Sequence, residues 1–440
     1  MGCSFEQPGM WLVSGRRRVG SSGPECKSFV ISKWLVWEAY KQVRANKGAA
    51  GVDEQSLAEF EVDLENNLYK IWNRLSSGTY FPPAVRAVQI PKPHGGGVRV
   101  LGVPTVGDRI AQTVVAMTLE SKVESIFHPD SYGYRPGRSQ HAAVERCRER
   151  CLKKPWVLDL DIKAFFDSLD HDLVVRAVAA NITAEQRWVL LYVKRWLKAP
   201  LQLPDGTLQE RDRGTPQGSA ASPVLANLVL HYAFDKFLDR EFPTVTFERY
   251  ADDAVVHCAT ERQAHQVWAA LAERLGSLGL ELHPDKTRIV FCKDDRRRGN
   301  YPHTSFTFLG FTFQPRSAMT RRGQLMVAFL PAISAAALLD KGTQARGWRL
   351  HRRTRDSLGD LAAWINPIVR GWIQYYGRFR PSALYPLLQR INTYLMRWAR
   401  AKYKRLRPYK RFKVWWFGII EREPTLFAHW KLVRTFAGLR

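Results

Sequence analysis

The residues that could do chemistry begin with two adjacent aspartates, Asp252 and Asp253, in the apolar stretch ERYADDAVVHC (residues 248–258). Hydrophobic residues on both sides predict two short strands that turn at the acidic pair. An exposed hairpin tip is one explanation, since aspartate favours turns. A metal site is the other, because a hard cation needs several oxygen ligands. The spacing of this stretch alone leaves both explanations open.

A second acidic cluster, VLDLDIKAFFDSLDH (157–171), contains Asp159, Asp161, Asp167 and Asp170. Asp159 and Asp161 share one face of a predicted strand, and Leu160 and Ile162 share the other. By itself the cluster would also fit a capped strand end. If the fold brings it beside the acidic pair, the carboxylates could hold two Mg²⁺ ions roughly 3.5–4 Å apart. Such ions activate a 3′-hydroxyl and stabilise a leaving pyrophosphate, which is the two-metal phosphoryl-transfer chemistry of polymerases.

The elements that must position these carboxylates follow from apolar spacing and turn formers. Residues 81–105, FPPAVRAVQIPKPHGGGVRVLGVPT, predict a hairpin with a flexible tip, because short apolar runs alternate with Pro and Gly. In GTPQGSAASPVLANL, Ser222 is the expected N-cap of a helix and Pro223 its first residue. From about residue 330 the pattern is mostly helical. The layout predicts an α+β core of about 300 residues followed by a basic helical module.

The chain of 440 residues is strongly basic, with 67 Lys and Arg against 41 Asp and Glu and a formal net charge of +26. This excess predicts a nucleic-acid partner, with an inert basic surface as the alternative. Residues 341–440 hold 23 of the basic, 4 of the acidic and 18 aromatic residues, so they alone carry +19. Such a mixture suits phosphate neutralisation and base stacking, and equally an aromatic core with a basic outer face. The candidate nucleic-acid-binding residues are Trp372, Tyr375, Tyr376, Arg397, Arg400, Lys402, Lys404 and Arg405.

The six cysteines show neither a disulfide framework nor a zinc pattern. Only Cys147 and Cys151 lie close together, one helical turn apart, and no second ligand pair follows them. We therefore expect a reduced protein of the bacterial cytoplasm that binds no zinc. No apolar run approaches the roughly 18 residues of a membrane span, so no membrane partner is expected. Residues 1–27 are expected to be a loose leader or the product of a misplaced start codon.

FERYADDAVVHC resembles the Tyr-x-Asp-Asp box of reverse transcriptases. It follows DIKAFFD and GTPQGSAASPVLANL and precedes LHPDKT and FLGF, which is the order of these blocks in that family. Upstream, NKGAAGVD, IPKPHGGGVRVLGVPTVGDRIAQ and SYGYRPGRSQHAA are similar to the extra N-terminal blocks of group II intron reverse transcriptases. Downstream, VRGWIQYYGRF is similar to their maturase (X, or thumb) region. One box alone would be weakly specific, whereas this ordered series is strongly specific.

The resemblance implies a right-hand polymerase fold of the α+β class. Reverse transcriptase fingers and palm would occupy residues 28–325, an α-helical thumb or maturase domain 326–400, and a basic nucleic-acid-binding tail 401–440. The implied activity is that of an RNA-directed DNA polymerase, a nucleotidyltransferase that uses two Mg²⁺ ions, dNTPs, an RNA template and a DNA primer. As a maturase the protein would also bind group II intron RNA and aid its splicing and mobility. No cysteine follows Cys292, so the chain resembles the short members without a Cys- and His-bearing endonuclease domain.

At the metal site, the resemblance implies that Asp161 and Asp252 are ligands and that Asp253 completes the site. The backbone carbonyl of Ile162 would also touch the metal. Phe166 falls where the family packs a ring under the nucleotide sugar, where it would clash with a 2′-hydroxyl and favour dNTPs. Plain core packing of Phe166 is equally compatible with its position.

Around the nucleotide, Lys92 and Arg99 would lie on the hairpin that closes over the triphosphate, or else in a solvated basic loop. Gln217 and Gly218 lie in a loop whose backbone would approach the nucleotide and template. Lys286 is a candidate proton donor to pyrophosphate, although it could equally pair only with its neighbour Asp285.

Two other functions remain open from the sequence. One is a splicing-only RNA-binding maturase whose polymerase site has decayed, and the other is a reverse transcriptase recruited to a host role such as phage defence. The set Asp161, Asp252, Asp253, Lys92, Arg99 and Gln217 is intact, which argues against decay. The X-like region favours the intron setting.

Overall fold

The computed structural model of the protein describes residues 27–91, 98–319 and 322–436. The α-helices are α1 (Lys33–Asn46), α2 (Leu57–Val62), α3 (Leu64–Ser77), α4 (Val106–Val123), α5 (Gln140–Cys151), α6 (Phe165–Ser168), α7 (His171–Ala179), α8 (Arg187–Leu197), α9 (Ser222–Leu230), α10 (Lys236–Glu241), α11 (Glu261–Gly276), α12 (Ala335–Gly347), α13 (Leu358–Tyr376), α14 (Tyr385–Lys402) and α15 (Tyr409–Arg422). The expected leader lies outside the described residues, apart from Lys27. Within the described part of the chain, no helix is both long and apolar enough to cross a membrane.

The strands form three sheets. They are β1 (Val85–Pro91), β2 (Val98–Val103), β3 (Trp156–Asp161), β4 (Leu201–Gln202), β5 (Leu208–Gln209), β6 (Thr246–Tyr250), β7 (Asp253–Cys258), β8 (Arg288–Phe291), β9 (Phe306–Phe308), β10 (Phe311–Met319) and β11 (Leu325–Ile333). Their spatial orders are β2-β1-β4-β5, β6-β7-β3-β8 and β11-β10-β9. The predicted hairpin is present as the antiparallel pair β1 and β2, and its tip lies outside the described residues.

The second sheet, which we call the palm sheet, is antiparallel throughout and covered on both faces. Alternate side chains of β3 and β7, such as Leu158 and Val256, point into the large core that contains α9 and α11. The intervening ones, such as Val157 and Val255, pack beside α5 in a smaller core. Because both faces are buried, β3 is apolar at nearly every position except its aspartates.

The helix expected after the GTPQGSAAS loop is α9, but its capping differs from the prediction. Ala221 is the N-cap residue, and Ser222 is the first helical residue instead of the cap. The Ser222 hydroxyl donates to the carbonyl of Pro216 (3.0 Å), so it holds the preceding loop rather than a free helix N–H. A tertiary contact has thus replaced the expected local one.

The C-terminal helices pack around a core of their own. Trp398, Trp416 and Trp430 are fully buried in it, and Trp348 stacks on Trp372 with ring centroids 5.6 Å apart. Ser357 begins α13 with a capping box, in which its hydroxyl and the carboxylate of Asp360 each accept a backbone N–H. β11 runs across the boundary expected at residue 325, and residues as far as Phe436 join the core built by α13 and α14.

Candidate active site

Asp161 and Asp253 close one end of the β3–β7 ladder. Asp161 is the last residue of β3, Asp253 is the first of β7, and the antiparallel register pairs them directly. Residues paired in this way have Cβ atoms about 4.5–5.5 Å apart on one face of the sheet. Asp252 lies directly before Asp253, in the turn between β6 and β7. The fold therefore brings the two acidic segments together, with three carboxylates at one end of the palm sheet.

The turn that carries Asp252 is fixed by a buried guanidinium. Ala251 has φ of +57°, in the left-handed region that is unfavourable for a residue with a Cβ. Arg249, 1% exposed, donates to the Ala251 carbonyl (3.1 Å) and to Asn227 Oδ1 (3.0 Å). The same guanidinium pairs with the buried Asp235 through two bonds of 2.7 and 2.6 Å. These contacts hold the strained turn in place.

A glycine lies directly under this turn. A Cβ at Gly133 would lie 2.4 Å from the amide nitrogen of Ala251, so no larger residue fits there. The Gly133 carbonyl accepts from Asn227 Nδ2 (2.7 Å), which links the SYGYRPG segment to α9 and, through Asn227, to Arg249. The acidic turn is therefore held both by the close packing of Gly133 against Ala251 and by the hydrogen bond from Arg249 to the Ala251 carbonyl.

Asp252 and Asp253 are half-buried and the neighbouring Asp159 is buried, and this changes the acidity of these three carboxylates. Burial raises the pKa of Asp252, and the charge of Asp161 raises it further. Burial, followed by the charges of Asp159, Asp252 and Asp161, raises the pKa of Asp253 well above its ordinary range. Burial raises the pKa of Asp159 to about 6, although Arg288 (Nε to Oδ2, 3.2 Å) opposes the shift. Burial is thus the main cause of the raised pKa values, and the charges of neighbouring carboxylates add to it.

This donor set fits a hard divalent cation. Asp161, Asp252 and Asp253 offer only carboxylate oxygens, which are the ligands that hard divalent cations prefer. A bound cation would favour the ionised form of these carboxylates, whose pKa values burial and then mutual repulsion raise. Ile162, whose carbonyl the family resemblance adds to the set, follows Asp161 directly, and its side chain is buried.

Lys286 contacts the carboxylates rather than its neighbour in sequence. Its Nζ lies 2.8 Å from Asp161 Oδ2, so the pairing with Asp285 weighed from the sequence is not the one that forms. The ammonium group is largely exposed. It is therefore placed where it can neutralise one carboxylate and reach a group bound beside it.

Phe166 lies in the short helix α6, immediately after the left-handed residue Ala164. Its ring is half-buried at the edge of the large core, whereas the adjacent Phe165 is 2% exposed. The Phe166 carbonyl accepts from the amide of Thr215 (2.8 Å). A Cβ at Gly214 would lie 2.9 Å from that same carbonyl, so the loop packs closely against α6. The backbone of Phe166 is thus fixed by the loop before α9, and part of the residue remains accessible.

Arg99 and Gln217 bring the β1–β2 hairpin and the loop before α9 together. Arg99 Nε donates to Gln217 Oε1, and the Gly102 amide donates to the Gln217 carbonyl (2.8 Å). Gly218 has φ of +114°, and a Cβ there would lie 2.5 Å from the Gly102 carbonyl oxygen. Glycine is required at this contact. Lys92, expected on the same hairpin, lies outside the described residues.

The candidate nucleic-acid-binding residues of the helical module divide into two groups. Trp372 is 7% exposed in the module core, and Tyr375 and Tyr376 pack half-buried against Phe311. The core packing left open from the sequence accounts for these three rings. By contrast, Arg397, Lys404 and Arg405 are exposed.

The other two basic candidates are half-buried and tied to the backbone. Arg400 Nε donates to the Arg407 carbonyl (2.9 Å), and Lys402 Nζ donates to the Asp356 carbonyl (2.7 Å). These contacts give Arg400 and Lys402 a structural part in the module whatever else they bind.

Sequence reasoning missed the residues that hold the acidic turn: Gly133, Asn227, Asp235 and Arg249. A partial signal was present, because Asn227 and Asp235 are polar positions in an otherwise apolar helical stretch. A polar side chain on a buried helix face requires a partner. The sequence does not identify that partner as Arg249.

Two family models match the chain. Residues 90–313 match the reverse transcriptase (RNA-dependent DNA polymerase) family. Residues 343–416 match the maturase-specific domain of group II introns. The first match covers the palm sheet and all the carboxylates described above, and the second covers most of the helical module.

Curated relatives agree with these models. The group II intron-encoded protein LtrA of Lactococcus lactis subsp. cremoris is 31% identical over 270 residues, covering 59% of this chain and 43% of LtrA. The chain thus spans less than half the length of that relative. Protein YkfC of Escherichia coli (strain K12) is 31% identical over 302 residues, covering 60% of this chain and 78% of YkfC. Among solved structures, a telomerase from Candida albicans aligns with a TM-score of 0.45 and 13% identity over 87% of this chain and 68% of that one. The chain belongs to the reverse transcriptase family and carries a group II intron maturase-specific domain.

Proposed function

We propose that the protein is an RNA-directed DNA polymerase that adds dNTPs to the 3′-hydroxyl of a DNA primer on an RNA template. The observation that carries this proposal is the direct pairing of Asp161 with Asp253 beside Asp252. Two Mg²⁺ ions bound by these carboxylates and the Ile162 carbonyl would supply the charge that acidifies the 3′-hydroxyl and offsets the pyrophosphate. The buried Arg249 keeps Asp252 at the tip of its turn in every step.

The chain's own groups bind and orient the nucleotide. Arg99, together with Lys92 of the same hairpin, supplies cations for the triphosphate, and charge there stabilises the leaving group. Gln217 holds the side chain of Arg99, and Gly218 leaves its loop without a side chain where the template approaches. The Phe166 ring lies under the sugar and excludes a 2′-hydroxyl. Lys286, beside Asp161, gives a proton to the pyrophosphate.

The second part of the proposal is that the protein binds a group II intron RNA and helps it to splice and move. Support comes from the match of residues 343–416 to the maturase-specific domain and from the exposed cations Arg397, Lys404 and Arg405. Such cations neutralise RNA phosphates and release the counterions that were condensed on the RNA, which gives an affinity that does not depend on sequence. Relatives from Lactococcus lactis and Escherichia coli support a bacterial setting, and we include the cytoplasm in the proposal.

Primer extension tests the polymerase directly. Purified protein with Mg²⁺, an RNA template, a DNA primer and dNTPs should extend the primer. Asp252→Asn should abolish extension while leaving RNA binding nearly unchanged, because it removes one charge from the metal site and none from the basic surface. Asp172→Asn, an exposed carboxylate on α7, is the matched control and should extend normally.

Two outcomes would contradict the proposal. Extension by the wild type without any divalent metal would remove the role given to the carboxylates. Wild-type protein that binds intron RNA and promotes its splicing, but never extends a primer, would identify a splicing-only maturase. A protein that extends primers but neither binds nor splices a group II intron RNA would instead be a host-recruited reverse transcriptase.

A further inference from the structure

A buried group of sulfur and nitrogen atoms lies behind the carboxylates, on the same face of the palm sheet. Cys147 and Cys151 come from α5, and His257 comes from β7, four residues after Asp253. One potential ligand atom from each of the three lies within 4.8 Å of the other two. Cys292, just after β8, belongs to the same small buried core as Cys147 and Cys151. All four side chains are 0% exposed.

The histidine in this group has one nitrogen satisfied and one without a partner. His257 Nε2 lies 2.6 Å from Glu248 Oε2, and because a carboxylate only accepts, Nε2 carries the proton. Nδ1 is buried and has no hydrogen-bond partner among the described residues. Nδ1 therefore remains available as a ligand atom, and the two thiols lie beside His257.

The environment of His257 is the one that metal-binding histidines have. Such a histidine commonly donates its other N–H to a carboxylate, which fixes the ring and makes it a better ligand. Here Glu248 is that carboxylate, and it is itself held by Arg150, which also binds Asp130 (2.6 Å). The histidine of the proposed site therefore already has its second-sphere carboxylate.

We propose that Cys147, Cys151, His257 and Cys292 bind one structural zinc ion. Three thiolates and one imidazole are a common tetrahedral donor set for zinc, with Zn–S near 2.3 Å and Zn–N near 2.0–2.1 Å. Binding would draw the Cys147, Cys151 and His257 ligand atoms together by at most about 1 Å, whereas Cys292, which lies outside that group, would have to move further. Zinc with three thiolates carries a net charge of −1, and Arg297, which donates to the Cys151 carbonyl (2.9 Å) and also pairs with Asp294, is one cation near it.

Packing of small apolar side chains is the competing explanation, since cysteine is often buried without a ligand. Cys258 shows what that looks like: it is 0% exposed, adjacent to His257 on β7, and faces the large core on the other side of the sheet. Cys147 and Cys151 instead lie close to each other and to His257, whose Nδ1 has no hydrogen-bond partner among the described residues. Their separation along the chain explains why no zinc pattern was visible in the sequence, and the proposal departs from that expectation.

The zinc ion would connect α5, β7 and the end of β8 below the catalytic carboxylates. Its removal should therefore loosen the strand that begins with Asp253. This is a structural role, independent of whether the carboxylates act in polymerisation, and its test does not depend on polymerase activity.

Metal content of the wild-type protein is the first measurement. Protein purified from zinc-supplemented cells and passed over a chelating resin should retain close to one zinc ion per chain. Elemental analysis by inductively coupled plasma mass spectrometry measures this ratio. Exchange with Co²⁺ should give thiolate-to-cobalt charge-transfer bands and tetrahedral ligand-field bands. No retained zinc and no such bands, or a native mass two hydrogens lower from a disulfide, would overturn the proposal.

Three variants separate a metal site from packing. Cys151→Ser should lose most of the zinc, and Cys258→Ser, its matched control, should keep zinc and the cobalt spectrum. Glu248→Gln should weaken zinc binding roughly 10–100-fold in competition with a chelator, as loss of a second-sphere partner usually does. If Cys151→Ser does not fold, titration of wild-type thiols with a mercurial should release zinc in step with the modified cysteines. Equal zinc retention by all three variants would overturn the assignment.

Discussion

Asp161 and Asp253 face one another across the last rung of the β3–β7 ladder. Like charges placed directly opposite on neighbouring strands destabilise a sheet, and burial of Asp253 increases the effect. The palm sheet therefore holds an arrangement that lowers its own stability in the absence of a cation. Such a conflict between local stability and arrangement is typical of functional sites.

Replacement of Asp253 should separate stability from function. Asp253→Asn should raise the unfolding temperature in the presence of a chelator, by the equivalent of up to about 1 kcal/mol, because one charge of the opposed pair is removed. The Asn oxygen can still accept the backbone hydrogen bond from Leu309 that Asp253 accepts. The same variant should lose primer extension. Mg²⁺ should stabilise the wild type and should stabilise the variant much less.

Thermal unfolding with and without Mg²⁺ measures these effects, with Asp172→Asn as the control that changes neither. A variant that is less stable than the wild type in chelator would show that Asp253 holds the sheet together rather than straining it.

Neighbouring phenylalanines allow a matched test of sugar selection. Phe166→Ala should let the enzyme incorporate rNTPs more readily, because the half-buried ring no longer obstructs a 2′-hydroxyl. Phe165→Ala should instead lower stability by about 3–5 kcal/mol, as truncation of a fully buried ring does, without changing sugar preference. The readout is the ratio of rNTP to dNTP incorporation together with the unfolding midpoint. If Phe166→Ala remains as selective as the wild type, its ring serves packing alone.

The sequence predicted the parts of this site that depend on local patterns. The strand–turn–strand around Asp252 and the β1–β2 hairpin were visible because apolar alternation and turn residues lie within one short window. The meeting of the two acidic segments was inferred from chemistry and from family resemblance, since several helices and strands separate β3 from β7 along the chain.

What the sequence did not show depends on contacts between distant segments. Arg249 bonds with Asp235 and Asn227, which lie on the helical stretch that begins with α9. No spacing rule in the sequence connects Arg249 with either residue. Ser222 was expected to cap α9, but the nearby carbonyl of Pro216 captures its hydroxyl instead. From the sequence, Trp372 could be either a ring that stacks on nucleic-acid bases or a core residue. Its stacking against Trp348 in the structure identifies it as a core residue.

Asp108 should make stability depend on pH. It is buried on α4, where its carboxylate accepts hydrogen bonds from Tyr80 (2.9 Å), Trp196 (2.7 Å) and Gln112 (2.9 Å). Burial raises its pKa to about 6 although the three donors oppose the shift. Between about pH 4 and 6 the folded state keeps a proton that the unfolded state releases. The free energy of unfolding should therefore fall as pH rises through this range, by up to about 3 kcal/mol from this group.

Denaturant unfolding of the wild type and of Asp108→Asn across that range isolates the contribution. The variant should lack this part of the slope. The variant should also be less stable at every pH, because the Asn Nδ2 group would face Gln112 Nε2 and both groups are donors. Gln112 cannot turn its oxygen towards the substituted side chain, because that oxygen already accepts from Ser219 and Ala220. The same pH slope in both proteins would show that Asp108 does not titrate in this range.

The exposed cations of the helical module should set the salt dependence of RNA binding. Arg397, Lys404 and Arg405 are the residues to change to Gln, because Arg400 and Lys402 also bind backbone carbonyls and their loss would disturb the module itself. Each cation that contacts a phosphate contributes about 0.7 to the slope of log affinity against log salt for single-stranded RNA. The triple variant should therefore lose roughly two units of slope, and a cognate intron should splice less efficiently.

A charge-matched triple variant on the fingers and palm helices, with Lys70, Arg187 and Arg262 changed to Gln, should keep the wild-type slope. Circular dichroism should show both triple variants folded, since none of the six side chains is buried. Loss of affinity without loss of slope would mean that the module binds RNA through neutral contacts. Unchanged affinity and slope would leave these cations as a solubilising surface, and intron RNA would have to bind through the hairpin and palm instead.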